Sequence, residues 1–442
     1  MKSTRPKVLH LLAGKSLLQH VVDSSQGLQP DQIIVVVGHG GKQVEDAMQG
    51  QGLEFVEQTE QLGTGHALQQ TVNQLKPGND VLVLFGDVPL IRADTLNQMR
   101  DRVAHAVMCI LTFIPDQAFG YGRIVRDPES QVTAIVEHKD CTSAQLEIGE
   151  CNAGMMLIRS DRLQSLVEAL ENDNAQGEFY LTDLVEIAVN QGDMVAALIC
   201  DDPFEVDGVN NQRQLAQAET RYRARQANKL MEQGVKLFDP HRIDIRGELS
   251  VGQDVEIDIN CVFEGRVSLG DHVRIGANCV IRNTQIADGT EIKPMTSIDG
   301  AVIGRNASIG PFARIRPGTE CDDEVKIGNF VETKKADIGK GSKISHLSYI
   351  GDTDMGSEVN IGAGTITCNY DGVNKFKTVI EDGVFIGSDT QLVAPVRIAR
   401  NATIGAGSTI TKDSPADKLT LSRAKQITMD GWARPVQKSK DS

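Results

Sequence analysis

An aliphatic or aromatic residue returns at every sixth position from Val251 onward, and no other feature of the 442-residue chain limits its fold so tightly. Val251, Ile257, Phe263, Leu269, Ile275 and Ile281 keep the interval. After a one-residue slip Ile286, Ile292 and Ile298 keep it, and after another Ile303, Ile309 and Ile315 follow. Ile380, Ile386, Leu392, Ile398, Ile404 and Ile410 resume it further on. Such a period fits neither an amphipathic helix nor an alternating strand. It fits a chain that turns a corner every six residues, so that three hexads complete one triangular coil. The small or turn-prone residue after the aliphatic, as in Leu269-Gly270, Ile275-Gly276, Ile309-Gly310 and Ile404-Gly405, lets the backbone bend. Coils stacked about 4.8 Å apart then pair as parallel strands, with the aliphatics filling the prism. A β sandwich explains Gly and Asp at turns but not a fixed spacing. The hexads predict a parallel β-helix of the left-handed kind, an exception to the usual right-handed crossover.

The prism uses only part of the chain, and the length predicts two or three domains. Aromatic residues make up 4% of the sequence, as suits a narrow interior filled by Ile and Val. A net charge of −15 argues against a general nucleic-acid surface, so any phosphate-bearing ligand must meet locally basic pockets. Cys109, Cys141, Cys151, Cys200, Cys261, Cys279, Cys321 and Cys368 are scattered, without a C-x-x-C pair. Reduced thiols are expected, not a zinc site or a disulfide framework. No signal-peptide pattern heads the sequence and no apolar run reaches the ~18 residues of a membrane span, so a soluble, cytoplasmic protein is expected.

From Met1 to about Asn210 the pattern is α/β. Ile33 to Val37 and Val81 to Leu84 have the continuous apolar character of buried parallel strands. Helical segments run from Ala67 to Leu75 and from Leu163 to Glu171. The second strand leads into Phe85-Gly86-Asp87-Val88-Pro89, where open α/β sheets bind ligands. Taken alone, Asp87 serves either as a turn cap or as a ligand-binding carboxylate. Residues 211–234 are rich in helix formers and predict a connecting helix. The hexads break near residues 363–379, AGTITCNYDGVNKFKT, and insertions in a solenoid emerge as loops that often carry chemistry. Beyond Ile410 the tail is irregular, with Trp432 its only large anchor, and the final VQKSKDS is expected to be disordered.

Several motifs occur in order along nearly the whole chain: PKVLH at Pro6, EQLGTGHA, FGDVPL, GYGRI, IVEHKD, NAQGEFYLTD and GVNN. RIRPG, GNFVETKKA, IGAGTITCNYDG and GSDTQLVAPV follow. Together they resemble the bacterial bifunctional N-acetylglucosamine-1-phosphate uridylyltransferase/glucosamine-1-phosphate N-acetyltransferase family, which supplies precursors for peptidoglycan and lipopolysaccharide. The resemblance implies a Rossmann-like nucleotidyltransferase domain at 1–210, a helix at 211–234 and a left-handed β-helix acetyltransferase domain at 235–442. It also implies a homotrimer, acting on small molecules and on neither nucleic acid nor membrane.

For acetyl transfer the acceptor amine must lose a proton before it attacks a thioester, so a base is needed. A lone histidine is ordinarily structural, but His346 matches the family's base, and Glu332 matches a carboxylate able to orient it. Arg316 and Lys334 match the residues that hold the sugar phosphate, with Tyr349 and Asn360 as further acceptor contacts. Ala363, Asn369, Tyr370, Ser388, Ala406 and Arg423 match the acetyl-CoA site. For uridylyl transfer, Asp87 and Asn210 match the oxygen ligands of Mg²⁺, a hard cation. Lys7 matches a phosphate contact and Gln58, Gly63 and Thr64 a uracil pocket. Phe85, Gly86, Gly122, Glu137 and Asn152 complete the expected UTP and UDP-N-acetylglucosamine site.

The sequence departs from the family at its start. Members open with a strand and a glycine-rich loop, L-x-x-G-x-G-T-R-M, ahead of PKVLH, and here Met1 falls where that motif's methionine stands. A central strand and a phosphate-cradling loop of roughly twenty residues are missing from the pattern. The natural protein is therefore expected to be longer and fully bifunctional, and the sequence as given to show little uridylyl transfer. The alternatives are acetyl transfer alone, or a nucleotidyltransferase whose β-helix only trimerises it.

Overall fold

The computed structural model describes residues 1–174 and 176–437; residues 438–442 of the terminal VQKSKDS lie outside the described residues. Two compact units divide the chain, Met1–Tyr222 and Arg223–Ser442. Within the first, a mixed sheet has the strand order Val195–Ile199, Met108–Phe113, Cys151–Ile158, Arg123–Arg126, Val132–Val136. Met108–Phe113 is buried at all six positions because helices cover both of its faces. Its residues alternate accordingly. Met108 and Ile110 pack with Leu163, Leu166 and Leu184, while Cys109, Leu111 and Phe113 pack with Leu96, Met99 and Val103.

The two apolar runs expected to be buried parallel strands behave differently. Ile34–Val37 is parallel to Glu54–Glu57, in a separate two-stranded sheet. Val81–Val83 runs antiparallel to Cys151–Ile158. Val37 is buried, but Ile34, Val35, Val36 and Val81–Val83 are only half-buried. The cause is local. Among the described residues each strand has one ladder partner, and both strands line a single slot of about 1020 Å³. The helices expected nearby are Thr64–Gln69, with a 3-10 turn at Val72–Gln74, and Ser160–Glu168. The helix Gln212–Glu232 is capped by Asn211, whose side-chain oxygen accepts from the Gln214 N–H at 3.0 Å. No helix among the described residues is long and apolar enough to cross a membrane.

The second unit is the left-handed parallel β-helix that hexapeptide repeats build. Ile257, Ile275, Ile292, Ile309, Ile327, Ile344, Ile361, Ile386 and Ile404 pair successively from coil to coil. Each is at most 2% exposed. Successive partners lie 17 or 18 residues apart except Ile361 and Ile386, 25 apart, because a loop leaves the coil between them. Corners are made by residues with positive φ, among them Asn260, Asn278 and Asn306. Trp432, expected to anchor the tail, is 67% exposed, and its neighbours Ile427 and Met429 are exposed as well. Among the described residues of this unit the tail offers that indole no apolar seat.

Candidate active sites

Asp87 lies just past the strand Val81–Val83, beyond the end of the sheet. Its Oδ2 accepts from Lys7 Nζ at 2.5 Å, and Asn210 Oδ1 accepts from the same ammonium at 2.8 Å. The Asp87 carbonyl accepts from the Val209 N–H at 2.9 Å, which holds the Gly208–Asn210 stretch beside it. A cavity of about 450 Å³ here is lined by Thr64, Phe85, Asp87, Gly122, Glu137, Asn152 and Asn210. Lys7, Gln58, Gly63, Thr64, Phe85 and Gly86 line the slot of about 1020 Å³. Thr64 and Phe85 face both, so the two spaces adjoin, and every residue predicted for the nucleotide side borders one or the other.

Local chemistry explains this placement. Gly63 has φ +106, and a Cβ there would stand 2.6 Å from the Phe179 carbonyl oxygen, so only glycine fits. Gln58 Nε2 donates to the Gly63 carbonyl at 3.0 Å, and the Thr64 hydroxyl accepts from the Leu181 N–H at 3.1 Å. Burial pushes the Glu137 carboxyl above the usual range, although the Thr182 hydroxyl donates to it at 3.4 Å. Burial, aided by Glu186, Glu137 and Asp140, pushes Asp183 up to about 6. Asp183 was not predicted. It closes the motif NAQGEFYLTD, so its place in a quoted stretch was the available signal.

In the β-helix, the positions two residues after Ile327, Ile344, Ile361, Ile386 and Ile404 stack along one corner. They are Asn329, His346, Ala363, Ser388 and Ala406. Four of these were predicted for acetyl transfer. Asn329 was missed, although it holds the same hexad offset as His346. Its Oδ1 is 2.6 Å from His346 Nδ1. Arg423 extends the corner, donating from Nη1 to the Ala406 carbonyl at 2.9 Å. Glu332, expected to orient His346, is engaged elsewhere. It accepts from Arg316 Nη1 at 2.7 Å and lies 3.7 Å from Arg314. The register is the reason: Glu332 pairs with Arg314 and Tyr349, whereas His346 pairs with Asn329.

The break in the hexads is a short hairpin. Tyr370 bridges Lys375, and the Phe376 N–H donates to the Asn369 carbonyl at 2.9 Å. Asp371 accepts from the backbone N–H groups of Asn374 and Val373, which holds its carboxyl below the usual range. Asn369 also donates to Asp352. The turn brings Lys375 back against Lys334, whose ammonium is pushed below the ordinary lysine range by Lys375, with Arg316 adding to the effect. Lys334, Lys375 and Arg316 are thus brought near one another, with the carboxylates of Asp352 and of Glu332, the partner of Arg316, beside them. Lys375 was not predicted; a lysine within the inserted stretch was its only mark. Tyr349 lies between Glu332 and Ile366 in the ladder, and Asn360 between Lys343 and Phe385.

Fold and sites together define a nucleotidyltransferase unit followed by a hexapeptide-repeat acyltransferase. A family model for a MobA-like NTP transferase domain matches residues 1–187. One for the GMPPB C-terminal domain matches residues 245–334, and one for the six-repeat bacterial transferase hexapeptide matches residues 377–412. The bifunctional protein GlmU of Marinobacter nauticus is 54% identical over 98% of this chain and 96% of its own. GlmU of Chromobacterium violaceum is 53% identical over 99% and 96%, and that of Nitrosospira multiformis 54% over 100% and 96%. The chain belongs to the GlmU family and is a bifunctional transferase, an acetyltransferase and a uridylyltransferase.

Proposed function

We propose that the β-helix moves acetyl from acetyl-CoA to the amine of glucosamine 1-phosphate, and that the first unit joins the product to the uridylyl group of UTP, releasing pyrophosphate. The observation that carries the first half is the corner column, which sets His346 in line with Ala363, Ser388 and Ala406. His346 takes a proton from the acceptor amine. The amine nitrogen then bonds to the thioester carbonyl carbon, the carbon–sulfur bond breaks, and CoA leaves as its thiol once protonated. Arg316, Lys334 and Lys375 hold the sugar phosphate, with Tyr349 and Asn360 on the sugar. Asn369 and Tyr370 stand beside the thioester; Ala363, Ser388 and Ala406 line the CoA cleft, and Arg423 meets a CoA phosphate.

In the first unit Asp87 and Asn210 would hold Mg²⁺. Both offer oxygen, as a hard cation requires, and the Lys7 ammonium between them marks a place already built for positive charge. Bound there, the metal neutralises charge on the triphosphate. Gln58, Gly63 and Thr64 then seat the uracil, while Gly122, Glu137 and Asn152 take the amino sugar.

Assembly as a homotrimer, working in the cytoplasm, completes the proposal. Met295, Phe312, Phe330 and Leu347 occupy corner positions with φ of +61, +55, +57 and +48 and are 49 to 61% exposed. Equivalent corners in other coils carry Asn260, Asn278, Asp389 and Gly407. A bulky residue there costs roughly 1–2 kcal/mol, and an isolated prism recovers little of it. A second copy covering the ladder does recover it, and three such contacts close a ring. The test is thiol release from acetyl-CoA. Release that depends on glucosamine 1-phosphate is expected, and equal release without the sugar would defeat the assignment.

A further inference from the structure

We infer that Asn329 is a positioning residue for His346, fixing the imidazole tautomer that leaves Nε2 bare to accept the proton. This rests on His346 as the base of acetyl transfer and adds the group that sets its protonation pattern. Asn329 and His346 are ladder partners on adjacent coils, and Asn329 Oδ1 stands 2.6 Å from Nδ1. An amide oxygen only accepts, so the contact places the ring proton on Nδ1. No other hydrogen bond engages the ring among the described residues, and His346 is exposed, so Nε2 is left unengaged. Neutral histidine in water prefers its proton on Nε2, the nitrogen a base must keep free. The amide therefore reverses an intrinsic preference.

The identity of the partner is also informative. The carboxylate expected in this role, Glu332, is taken up by Arg316 and Arg314. An amide orients the ring without adding negative charge to it. A carboxylate at 329 would favour the imidazolium, and the base would then be lost to protonation at higher pH.

Four measurements test the assignment. Nitrogen-15 spectra of His346 in the unaltered protein, taken at alkaline pH, should give the Nδ1–H tautomer; the Nε2–H form would overturn the inference. Asn329→Leu should lower kcat for thiol release by roughly tenfold, a part of the roughly 10²- to 10⁴-fold that the base itself supplies, and leave KM for glucosamine 1-phosphate within about twofold. Unchanged kcat would overturn it too. Asn329→Asp should restore kcat at high pH while moving the acid limb of the kcat/KM profile upward by about one pH unit. An unmoved limb contradicts the inference, and this variant and the spectrum decide the matter even if Asn329→Leu fails to fold. His346→Ala separates the two assignments: undiminished thiol release there removes the base, whereas the tautomer is read independently by nitrogen-15.

Discussion

The prism and the α/β unit are both built on aliphatic runs, yet they bury them to different degrees. In the prism, Ile275, Ile292, Ile309, Ile327, Ile344, Ile361 and Ile386 each have an isoleucine on the coil before and the coil after, and none of them is more than 2% exposed. In the α/β unit, Ile34, Val35, Val36 and Val81–Val83 stay half-buried along the slot they share. A repeat supplies both neighbours of every rung from adjacent sequence, so its period settles burial. A strand in an α/β sheet takes its neighbours from distant sequence, and its own composition does not say who they are.

The largest expected effect sharpens this contrast directly. Ile309→Ala, deep in the prism, should cost about 3–4 kcal/mol by denaturant unfolding, because the coils above and below cannot close the void. Ile34→Ala, beside the slot, should cost about 1 kcal/mol, since its side chain already meets solvent. Equal costs would erase the distinction. Next in size is the exposed ladder on the prism's corner. Phe330→Asp should weaken self-association by roughly 30-fold, equivalent to about 2 kcal/mol, in sedimentation equilibrium. An unaltered oligomer would show that the ladder faces water.

The smallest effect lies in the α/β unit and depends on pH. Burial raises Asp183 to about 6 from an unfolded value near 3.8. A carboxyl raised in this way favours the folded state while protonated, below about pH 4, and gives that advantage up as pH climbs through about 6. Asp183→Asn should therefore stabilise the unit by about 1 kcal/mol at pH 8 and by almost nothing at pH 3.5, once solvent screening is allowed for. A gain that is the same at both values would place its origin elsewhere than in the charge.

The same contrast governs how much could be read in advance. The prism was legible because six-residue spacing is a local property. The corner column proposed for acetyl transfer was nearly as legible: Asn329 shares a hexad offset with His346, and counting from Ile327 as from Ile344 would have found it. Glu332 was matched to His346 by resemblance, whereas the ladder register sets it between Arg314 and Tyr349. Lys375 was hidden because a hairpin, not the repeat, returns it to Lys334. In the α/β unit, Asp87 was visible at a strand end, but its meeting with Lys7 and Asn210 depends on contacts spanning 80 and 203 residues. No local pattern encodes those.

Single-turnover acetyl transfer by His346→Ala tests the central claim most directly, with glucosamine 1-phosphate and acetyl-CoA both saturating. Loss of the imidazole should slow the bond-forming step by about 10²- to 10⁴-fold and leave acetyl-CoA binding within about twofold. A rate within a factor of about two of the unaltered protein's would mean that the corner column holds no base.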